Sequence, residues 1–355
     1  MPRRFRSCHR MPTFVLALPV ALLVLAGCSS PPDEFEAPVT ASPLPQPAGW
    51  ILSSGQVFGQ GLMATRLPGG QARRMELSND TPVFGARWEE PGRTAIAFIQ
   101  PGSDNRELAL VRVGLDEEPQ PIGTPLTGVS SISAANGTFL AGTCHHGVGT
   151  VQVIPSGGPV WLSVARADGC RATLSPQGRS VAFTNDGHSV RAVLVAGGPV
   201  ATIVDTATLP GLAAAGLRGA TITELAWGND GLAAVLKRGT AYGVAIHTPE
   251  GDHLSAIAGS PTFVGALTWQ PAGPLVAMAT FVQGQGSVLR TMDARTGAVR
   301  VLATDPRGLS GTVWSPNGAL VASLDSRGTW EFVDGNGNRA SLVPVDNEIP
   351  LDWAS

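Results

Sequence analysis

The segment TVWSPNGALVASL, residues 312–324, decides the fold of this chain. A strand-forming stretch ends at Trp314, and the tetrapeptide SPNG follows at 315–318. Pro, Asn and Gly in this order favour a tight turn, because Pro fixes its own φ angle and Gly tolerates the left-handed region. The small apolar residues after Gly318 then predict a second, buried strand.

The same pattern occurs five more times, earlier in the chain. Each copy has a strand, a Gly four residues after the position of Trp314, and a strand of small apolar residues. The glycines of the six copies are 45, 41, 53, 42 and 45 residues apart, which is the length of a four-stranded propeller blade. The earlier copies are ARWEEPGRTAIAF (86–98), SISAANGTFLAG (131–142), ATLSPQGRSVAF (172–183), LAWGNDGLAAVL (225–236) and LTWQPAGPLVAMA (267–279).

A hairpin turn rich in Gly, Pro and Asp follows each copy, as in DARTGA (293–298). One more such turn, LPGGQ (67–71), precedes the first copy, so residues 49–77 supply three strands of a blade that lacks its first strand. The missing strand is IPLDWAS (349–355), with Trp353 at the repeat position. The sequence therefore predicts an all-β, seven-bladed β-propeller over residues 49–355. Pairing of the C-terminal strand with the N-terminal strands closes it, which removes open sheet edges.

The WSPNG motif at 314–318 resembles the W-S-P-D-G repeat of the WD40 and TolB-like propeller superfamily, and SPQG at 175–178 is the next best match. The resemblance covers residues 49–355. It implies a rigid ring with loops on two faces, and a role like that of TolB or of the LpqB-like lipoprotein propellers, which work beside a sensor kinase.

Composition limits the class of partner. The chain has 355 residues, only 14% of them charged, with 44 Gly and 29 Pro, a balance typical of many short strands joined by turns. The formal net charge is −3. Loss of Arg3, Arg4, Arg6 and Arg10 with the predicted leader would make it roughly −7. This excludes a nucleic-acid partner, which needs a basic surface.

Residues 1–27 predict a lipoprotein signal peptide. MPRRFRSCHR (1–10) is basic, residues 11–27 are apolar and uncharged, and Leu25-Ala26-Gly27-Cys28 resembles a bacterial lipobox. A transmembrane helix and an ordinary secretory signal are the alternatives, but neither requires a Cys directly after Ala-Gly. The resemblance implies cleavage before Cys28 and a diacylglyceryl thioether, with acyl chains such as palmitate, on that residue.

Residues 28–48 are rich in Pro, Ser and Ala and lack periodicity, so they predict a disordered tether. The predicted domains are thus the signal peptide (1–27), the tether (28–48) and the propeller (49–355). The expected location is extracytoplasmic, with the lipid in the outer-leaflet side of the cell membrane or in a periplasm-facing envelope membrane.

Two cysteines remain in the propeller, Cys144 and Cys170. In an oxidising compartment, pairing is the usual outcome. Propeller topology places the end of the second strand of one blade and the start of the first strand of the next on one face. A Cys144–Cys170 disulfide is therefore predicted, closing a loop of about 26 residues.

His145, His146 and His188 fall on the same face as these cysteines and form a candidate loop-face site. A solvated loop beside the disulfide is favoured over a metal centre, because no familiar spacing of acids and histidines is present. No catalytic residue, metal or cofactor is predicted.

Four charged residues are expected on the strands that line the central channel, in neighbouring blades: Arg87 with Asp352, and Arg171 with Glu224. This arrangement favours ion pairs between blades. The repeat tryptophans are expected to pack between sheets, since a periodic position indicates a structural role. The repeat glycines are expected at turns with positive φ.

The segment DTATLPGLAAAGLRGAT (205–221) lengthens one repeat and is predicted to be a surface loop with a short helical turn at 212–215. Loops carry function more often than blades do, but a passive longer loop is favoured here.

Three functions remain open. The leading hypothesis is a monomeric, lipid-anchored propeller that binds an envelope protein. The alternatives are a propeller hydrolase or lyase acting at the channel mouth, and a sensor for a small ligand or metal.

The lipid anchor is directly testable. We expect Cys28→Ser to block lipid attachment and cleavage, since the thioether forms on this sulfur. The precursor should accumulate, and globomycin-sensitive processing and metabolic palmitate labelling should be lost. Normal processing of the Cys28→Ser chain would refute the anchor.

Overall fold

A computed structural model describes residues 44–55, 61–77, 81–101, 107–145, 148–158, 160–167, 170–257, 261–284, 286–305, 308–344 and 348–355. The predicted signal peptide, Cys28 and most of the tether lie outside the described residues. One compact unit spans Leu44–Ser355, and residues 44–48 have no regular secondary structure. A search of the described ranges finds no helix long and apolar enough to cross a membrane.

The described residues form 28 strands in seven antiparallel sheets of four, which confirms the predicted seven-bladed propeller. Each sheet is one blade, and its strands are given from the innermost outwards. Blades 1 to 3 are β28 (Glu348–Ala354), β1 (Gly49–Gly55), β2 (Leu62–Leu67), β3 (Gln71–Arg74); β4 (Val83–Glu90), β5 (Thr94–Ile99), β6 (Glu107–Gly114), β7 (Gln120–Thr127); and β8 (Val129–Ala135), β9 (Thr138–His145), β10 (Val148–Ile154), β11 (Leu162–Ala167).

Blades 4 to 7 follow the same order. They are β12 (Ala172–Leu174), β13 (Ser180–Asn185), β14 (Ser189–Leu194), β15 (Ala201–Asp205); β16 (Thr221–Trp227), β17 (Leu232–Arg238), β18 (Ala241–Thr248), β19 (Gly251–Ala256); β20 (Pro261–Trp269), β21 (Leu275–Val282), β22 (Gly286–Asp293), β23 (Val299–Asp305); and β24 (Leu309–Trp314), β25 (Leu320–Asp325), β26 (Trp330–Asp334), β27 (Arg339–Leu342).

The innermost strands form a closed ring. Strand β28 contacts both β24 and β4, and β8, β12, β16, β20 and β24 contact one another in that order. Between the last two neighbours, β4 and β8, a side chain also makes a hydrogen bond: the guanidinium of Arg87 on β4 donates to the carbonyl of Ala134 on β8. Every blade is thus flanked by two others.

Blade 1 joins the two ends of the folded unit. Strand β28 pairs antiparallel with β1, so that Trp50 lies opposite Ala354 and Ile51 opposite Trp353. Trp353 is buried, and its indole N–H donates to the carbonyl of Ala48 at 2.8 Å. Its ring meets that of Phe332 in blade 7 edge-on, with centroids 5.4 Å apart. This blade fastens the ring, as the sequence predicted.

The hydrophobic core is divided among the interfaces between blades. The described residues contain seven buried clusters, one for each pair of neighbouring blades. The cluster between blades 7 and 1, for example, contains Ile51, Trp330, Phe332 and Trp353. Each fully buried side chain of this size contributes about 1.5–3 kcal/mol, so no single interface holds the ring together alone.

The repeat tryptophans pack between blades, as their periodicity predicts. Trp314 is buried in the cluster between blades 6 and 7. The indole N–H groups also bridge to the preceding blade: Trp88 donates to the carbonyl of Trp50 (3.1 Å), Trp269 to that of Ala226 (2.9 Å) and Trp314 to that of Thr268 (3.1 Å). Burial and a satisfied donor explain why Trp suits this position.

Serines replace this bridge between blades 3 and 4, where Ser133 and Leu174 occupy the repeat positions. The Ser131 hydroxyl accepts from the backbone N–H of Ala172 (3.1 Å), and the Ser133 hydroxyl from that of Leu174 (3.2 Å). The hydroxyl of Ser130 donates to the carbonyl of Cys170 (2.7 Å). Short hydroxyl side chains therefore satisfy the backbone where the indole is missing.

The prediction of positive φ holds for five of the six repeat glycines: Gly92, Gly137, Gly178, Gly231 and Gly318, the last at +69°. It is wrong for Gly273, which precedes Pro274. Gly231 lies at the edge of the positive region (φ +159°). Glycine is needed there for close approach, because a Cβ would lie 2.2 Å from the carbonyl oxygen of His247.

The insertion forms a cover over blades 4 and 5. Residues 206–220 make consecutive turns, and one hydrogen bond from the N–H of Ala215 to the carbonyl of Gly211 (3.0 Å) corresponds to the expected helical turn. Leu209, Leu212 and Leu217 are buried in the cluster that both blades share. The segment therefore contributes to the core that blades 4 and 5 share.

We expect loss of Trp353 to weaken closure of the ring. Trp353→Ala should lower the free energy of unfolding by about 3–5 kcal/mol, the usual effect of removing a large buried aromatic side chain. Trp353→Phe should cost about 1–3 kcal/mol, because it leaves the carbonyl of Ala48 without its donor. Urea denaturation followed by tryptophan fluorescence and circular dichroism measures both.

Trp161→Ala is the control. Trp161 is only partly buried, and its indole N–H donates to the carbonyl of Thr124 at 2.9 Å, far from the closing blade. A loss for Trp353→Ala no larger than that of the control would contradict the closing role.

Candidate functional site

The ring has two faces that differ in what they carry. One face holds the turns between the second and third strands of each blade and the links from each blade to the next. Cys144, Cys170, His188 and the insertion (206–220) all lie there, and we call it the disulfide face. The opposite face holds the ends of the folded unit, residues 44–48 and Ser355, and we call it the terminal face.

Cys144 and Cys170 form a disulfide on the disulfide face, with Cα atoms 5.3 Å apart. It joins the end of β9 in blade 3 to the segment before β12 in blade 4. Backbone contacts hold both cysteines: the N–H of Cys144 donates to the carbonyl of Gly128 (2.8 Å), and the carbonyl of Cys170 accepts from Ser130. The bond fixes two neighbouring blades to each other.

The candidate histidine site is only partly described. His146 lies outside the described residues, and only the backbone of His145 is described, at the end of β9. His188 lies in the equivalent turn of blade 4, where its Nδ1 is 3.0 Å from the carbonyl oxygen of Ala220. This contact ties His188 to the insertion. Within the described ranges, no three His, Cys, Asp or Glu residues are grouped as metal ligands.

The charged residues of the channel connect neighbouring blades. Arg87 pairs with Asp352 at 3.9 Å, and Asp352 also accepts from the backbone N–H groups of Trp88 (2.9 Å) and Trp353 (3.0 Å). Asp352 therefore links blade 1 to blade 2 through both a charge and a backbone hydrogen bond.

The expected ion pair between Arg171 and Glu224 is replaced by two separate bonds. Arg171 donates to the carbonyl of Ser130 in blade 3 (3.0 Å), and Glu224 accepts from the backbone N–H of Leu267 in blade 6 (2.8 Å). Burial raises the pKa of Glu224. The backbone hydrogen bonds from Leu267 and Ala266 and the positive charge of Arg171 oppose this rise. The backbone offers closer partners than the opposite charge does.

Three phenylalanines are exposed on the disulfide face. Phe84 (48% exposed) and Phe263 (55%) lie near the start of the inner strands β4 and β20, and Phe281 (38%) lies near the end of β21. Phe263 and Phe281 are register partners in blade 6. Phe263 and Phe281 thus form an exposed aromatic pair of the kind enriched at interaction surfaces, and Phe84 lies three blades away in the ring. The sequence analysis missed them, because the pattern of apolar residues along a strand does not show which of them the neighbouring blade leaves uncovered.

A cavity of about 280 Å³ lies between the outer strands of blade 6 and blade 7. Its walls include Leu289, Ala303 and Val333, and the charged residues around it are Asp305, Arg327, Glu331 and Arg339. The sequence analysis missed this site too. The available signal was a run of charges, Asp325, Arg327 and Glu331, in a chain that is otherwise poor in charge.

No protein-family model matches this chain, and no curated protein matches its sequence. Solved structures do match it. TolB from Acinetobacter baumannii has a TM-score of 0.51 at 12% identity, with 86% of this chain and 67% of that chain covered. The Cps50 (Swd1) β-propeller domain from Myceliophteria thermophila has a TM-score of 0.53 at 13% identity, covering 86% and 93%. The fold is that of the TolB-like and WD40-like propellers.

A third structural neighbour is a putative 6-phosphogluconolactonase from Bacteroides uniformis, with a TM-score of 0.56 at 12% identity, covering 87% of this chain and 98% of that chain. At such identities the likeness concerns the fold alone. Propellers are used for unrelated tasks, so function has to be argued from the side chains of this chain.

We expect the disulfide to stabilise the junction of blades 3 and 4. The Cys144→Ser/Cys170→Ser variant should lose about 3 kcal/mol of unfolding free energy, since a closed loop of 26 residues restricts the unfolded chain. Urea denaturation of the oxidised wild type and of the variant measures the difference. The wild type in reducing buffer should match the variant, and equal stability of all three would contradict the prediction.

Proposed function

We propose that this chain is a lipid-anchored, extracytoplasmic binding module whose disulfide face receives an envelope protein. The observation that carries the proposal is the exposure of Phe84, Phe263 and Phe281 on that one face. Aromatic side chains are enriched among the residues that contribute most to binding, because each buries a large area at low cost in side-chain entropy.

Rigidity of the surrounding face supports this role. Around the phenylalanines, the disulfide joins blades 3 and 4, and the insertion fills the junction of blades 4 and 5 with buried leucines. A surface that is already ordered loses little conformational entropy on binding. The disulfide and the buried leucines of the insertion therefore suit a docking surface that is ordered before the partner binds.

The predicted anchor suits the same face. The tether enters the folded unit at residues 44–48, on the terminal face. The disulfide face is therefore at the opposite end of the ring from the point of attachment. Leu44 lies 16 positions after Cys28, and an extended chain of that length reaches about 55 Å. The anchor would hold the ring near the membrane and leave the disulfide face open to a partner.

The charged residues of the channel favour binding over catalysis. Asp352 and Glu224 are engaged with backbone N–H groups of the next blade, which is a structural use of a carboxylate. The hydrolase or lyase alternative stays a prediction, and an assay of the purified protein with lactone, peptide and glycoside substrates tests it.

The phenylalanines provide the test. We expect Phe263→Ser/Phe281→Ser to lose the partner, because the apolar contact area at the docking surface would be removed. Chemical crosslinking in intact cells, followed by affinity purification and mass spectrometry, measures the recovered proteins. The variant should retain the thermal unfolding curve of the wild type, since both side chains are exposed.

Val299→Ser/Val301→Ser is the matched control. Val299 (37% exposed) and Val301 (48%) lie in the same blade, but on its outermost strand β23. The control should recover the same partner as the wild type. Equal recovery by all three proteins would move the docking surface elsewhere, and no reproducible partner with the wild type would contradict the binding function.

A further inference from the structure

Asp325, Arg327 and Glu331 form a charged network at the cavity between blades 6 and 7, and Arg327 neutralises Asp325 more fully than Glu331. Asp325 is fully buried, and its partner Arg327 donates to it through Nε at 2.7 Å. The backbone N–H groups of Arg327 and Thr329 each donate to the other oxygen of Asp325 at 2.8 Å. Asp325 is thus fully satisfied, and the charge of Arg327 is directed mainly to it.

Glu331 receives only the remainder of that positive charge. A guanidinium N–H of Arg327 reaches one Glu331 oxygen at 3.3 Å, compared with 2.6 Å for the Asp325 contact. The side chain of Glu331 is 14% exposed. Burial, with the nearby charge of Asp325, raises the pKa of Glu331, and Arg327 and Arg339 only partly offset this. Counted together with Asp305 and Arg339, which also line the cavity, Asp325, Arg327 and Glu331 leave one net negative charge.

The walls of the cavity limit what can supply the missing charge. Leu309, which is partly buried, provides apolar surface, and the exposed Thr304 provides a hydroxyl group. The volume of about 280 Å³ is near the lower end of the range of about 300–1,000 Å³ for small-molecule sites. A metal ion needs several converging ligands, and the described residues show no group of three.

We propose that this cavity binds a small organic cation, a primary ammonium or guanidinium group on a short aliphatic chain, through the carboxylate of Glu331. The cation completes the charge balance of the charged groups around the cavity, and the aliphatic chain packs against Leu309. A charge-assisted hydrogen bond in a partly buried site is stronger than a neutral one. The proposal does not depend on the docking function of the disulfide face.

Arg339 distinguishes this proposal from an anion site. Arg339 lines the cavity, its positive charge acts on Glu331, and it makes no ion pair within 4.0 Å in the part of the chain that the structure describes. An anionic ligand would require Arg339, because Arg327 is already engaged by Asp325. A cationic ligand would be repelled by Arg339, so removal of that charge should strengthen binding.

Isothermal titration calorimetry of the full chain in detergent tests the proposal, with n-butylammonium as the probe and butyrate as an anion of matched chain. We expect n-butylammonium to bind to the wild type, and Glu331→Gln to weaken binding at least tenfold. Arg339→Gln should bind n-butylammonium severalfold more tightly. Butyrate should give no binding heat.

Glu89→Gln is the matched control, because Glu89 is also paired with an arginine, Arg112 at 2.6 Å, but lies in blade 2. It should bind the amine like the wild type. If Glu331→Gln proves unstable in a thermal melt, Arg339→Gln tests the proposal instead. Tighter binding of n-butylammonium by Arg339→Gln would support a cation site, and weaker binding would contradict it. Three results would overturn the proposal: no heat with n-butylammonium, binding that Glu331→Gln leaves unchanged, or butyrate binding that Arg339→Gln abolishes.

Discussion

Closure of the ring by one antiparallel strand pair, β28 with β1, is the constraint on which the rest of the structure depends. A single blade exposes two apolar faces and cannot bury either by itself. Each of the seven core clusters lies between two blades, so every blade needs a neighbour on both sides. The last pair of faces is buried only when the C-terminal strand reaches the N-terminal sheet. Residues far apart in sequence, such as Ile51 and Trp353, must therefore meet before the core is complete.

Hydrogen bonds between neighbouring blades fix the position of one blade against the next, because apolar packing alone would allow the two sheets to shift relative to each other. The indole N–H of a repeat tryptophan reaches a carbonyl of the preceding blade, and serine hydroxyls take over between blades 3 and 4. The carboxylates of Asp352 and Glu224 contribute in the same way, by accepting from backbone N–H groups of the following blade. These bonds satisfy the inner strands, whose backbone would otherwise face a narrow channel.

The two surfaces that we propose as functional lie where this repeated scheme is modified. The disulfide and the insertion reinforce one side of the ring, and the exposed phenylalanines lie on the same face. The cavity between blades 6 and 7 is a second departure, because a buried charge network borders it. A rigid scaffold with local exceptions is the usual way in which propellers acquire binding sites.

The sequence by itself determined the repeat, the number of blades and the closing strand, because the Trp-to-Gly spacing recurs at the length of one blade and IPLDWAS supplies the missing strand. It also indicated the packing role of Trp314, and it predicts a leader that ends before Cys28. Only the tertiary structure decided how the charged residues pair, since the distances from Arg171 and Glu224 to backbone groups depend on how neighbouring blades are rotated. The exposure of Phe263 and the cavity beside Glu331 were decided there too. Both depend on the space between blades, and a repeat pattern specifies which strands are neighbours but not how closely their side chains fill the gap.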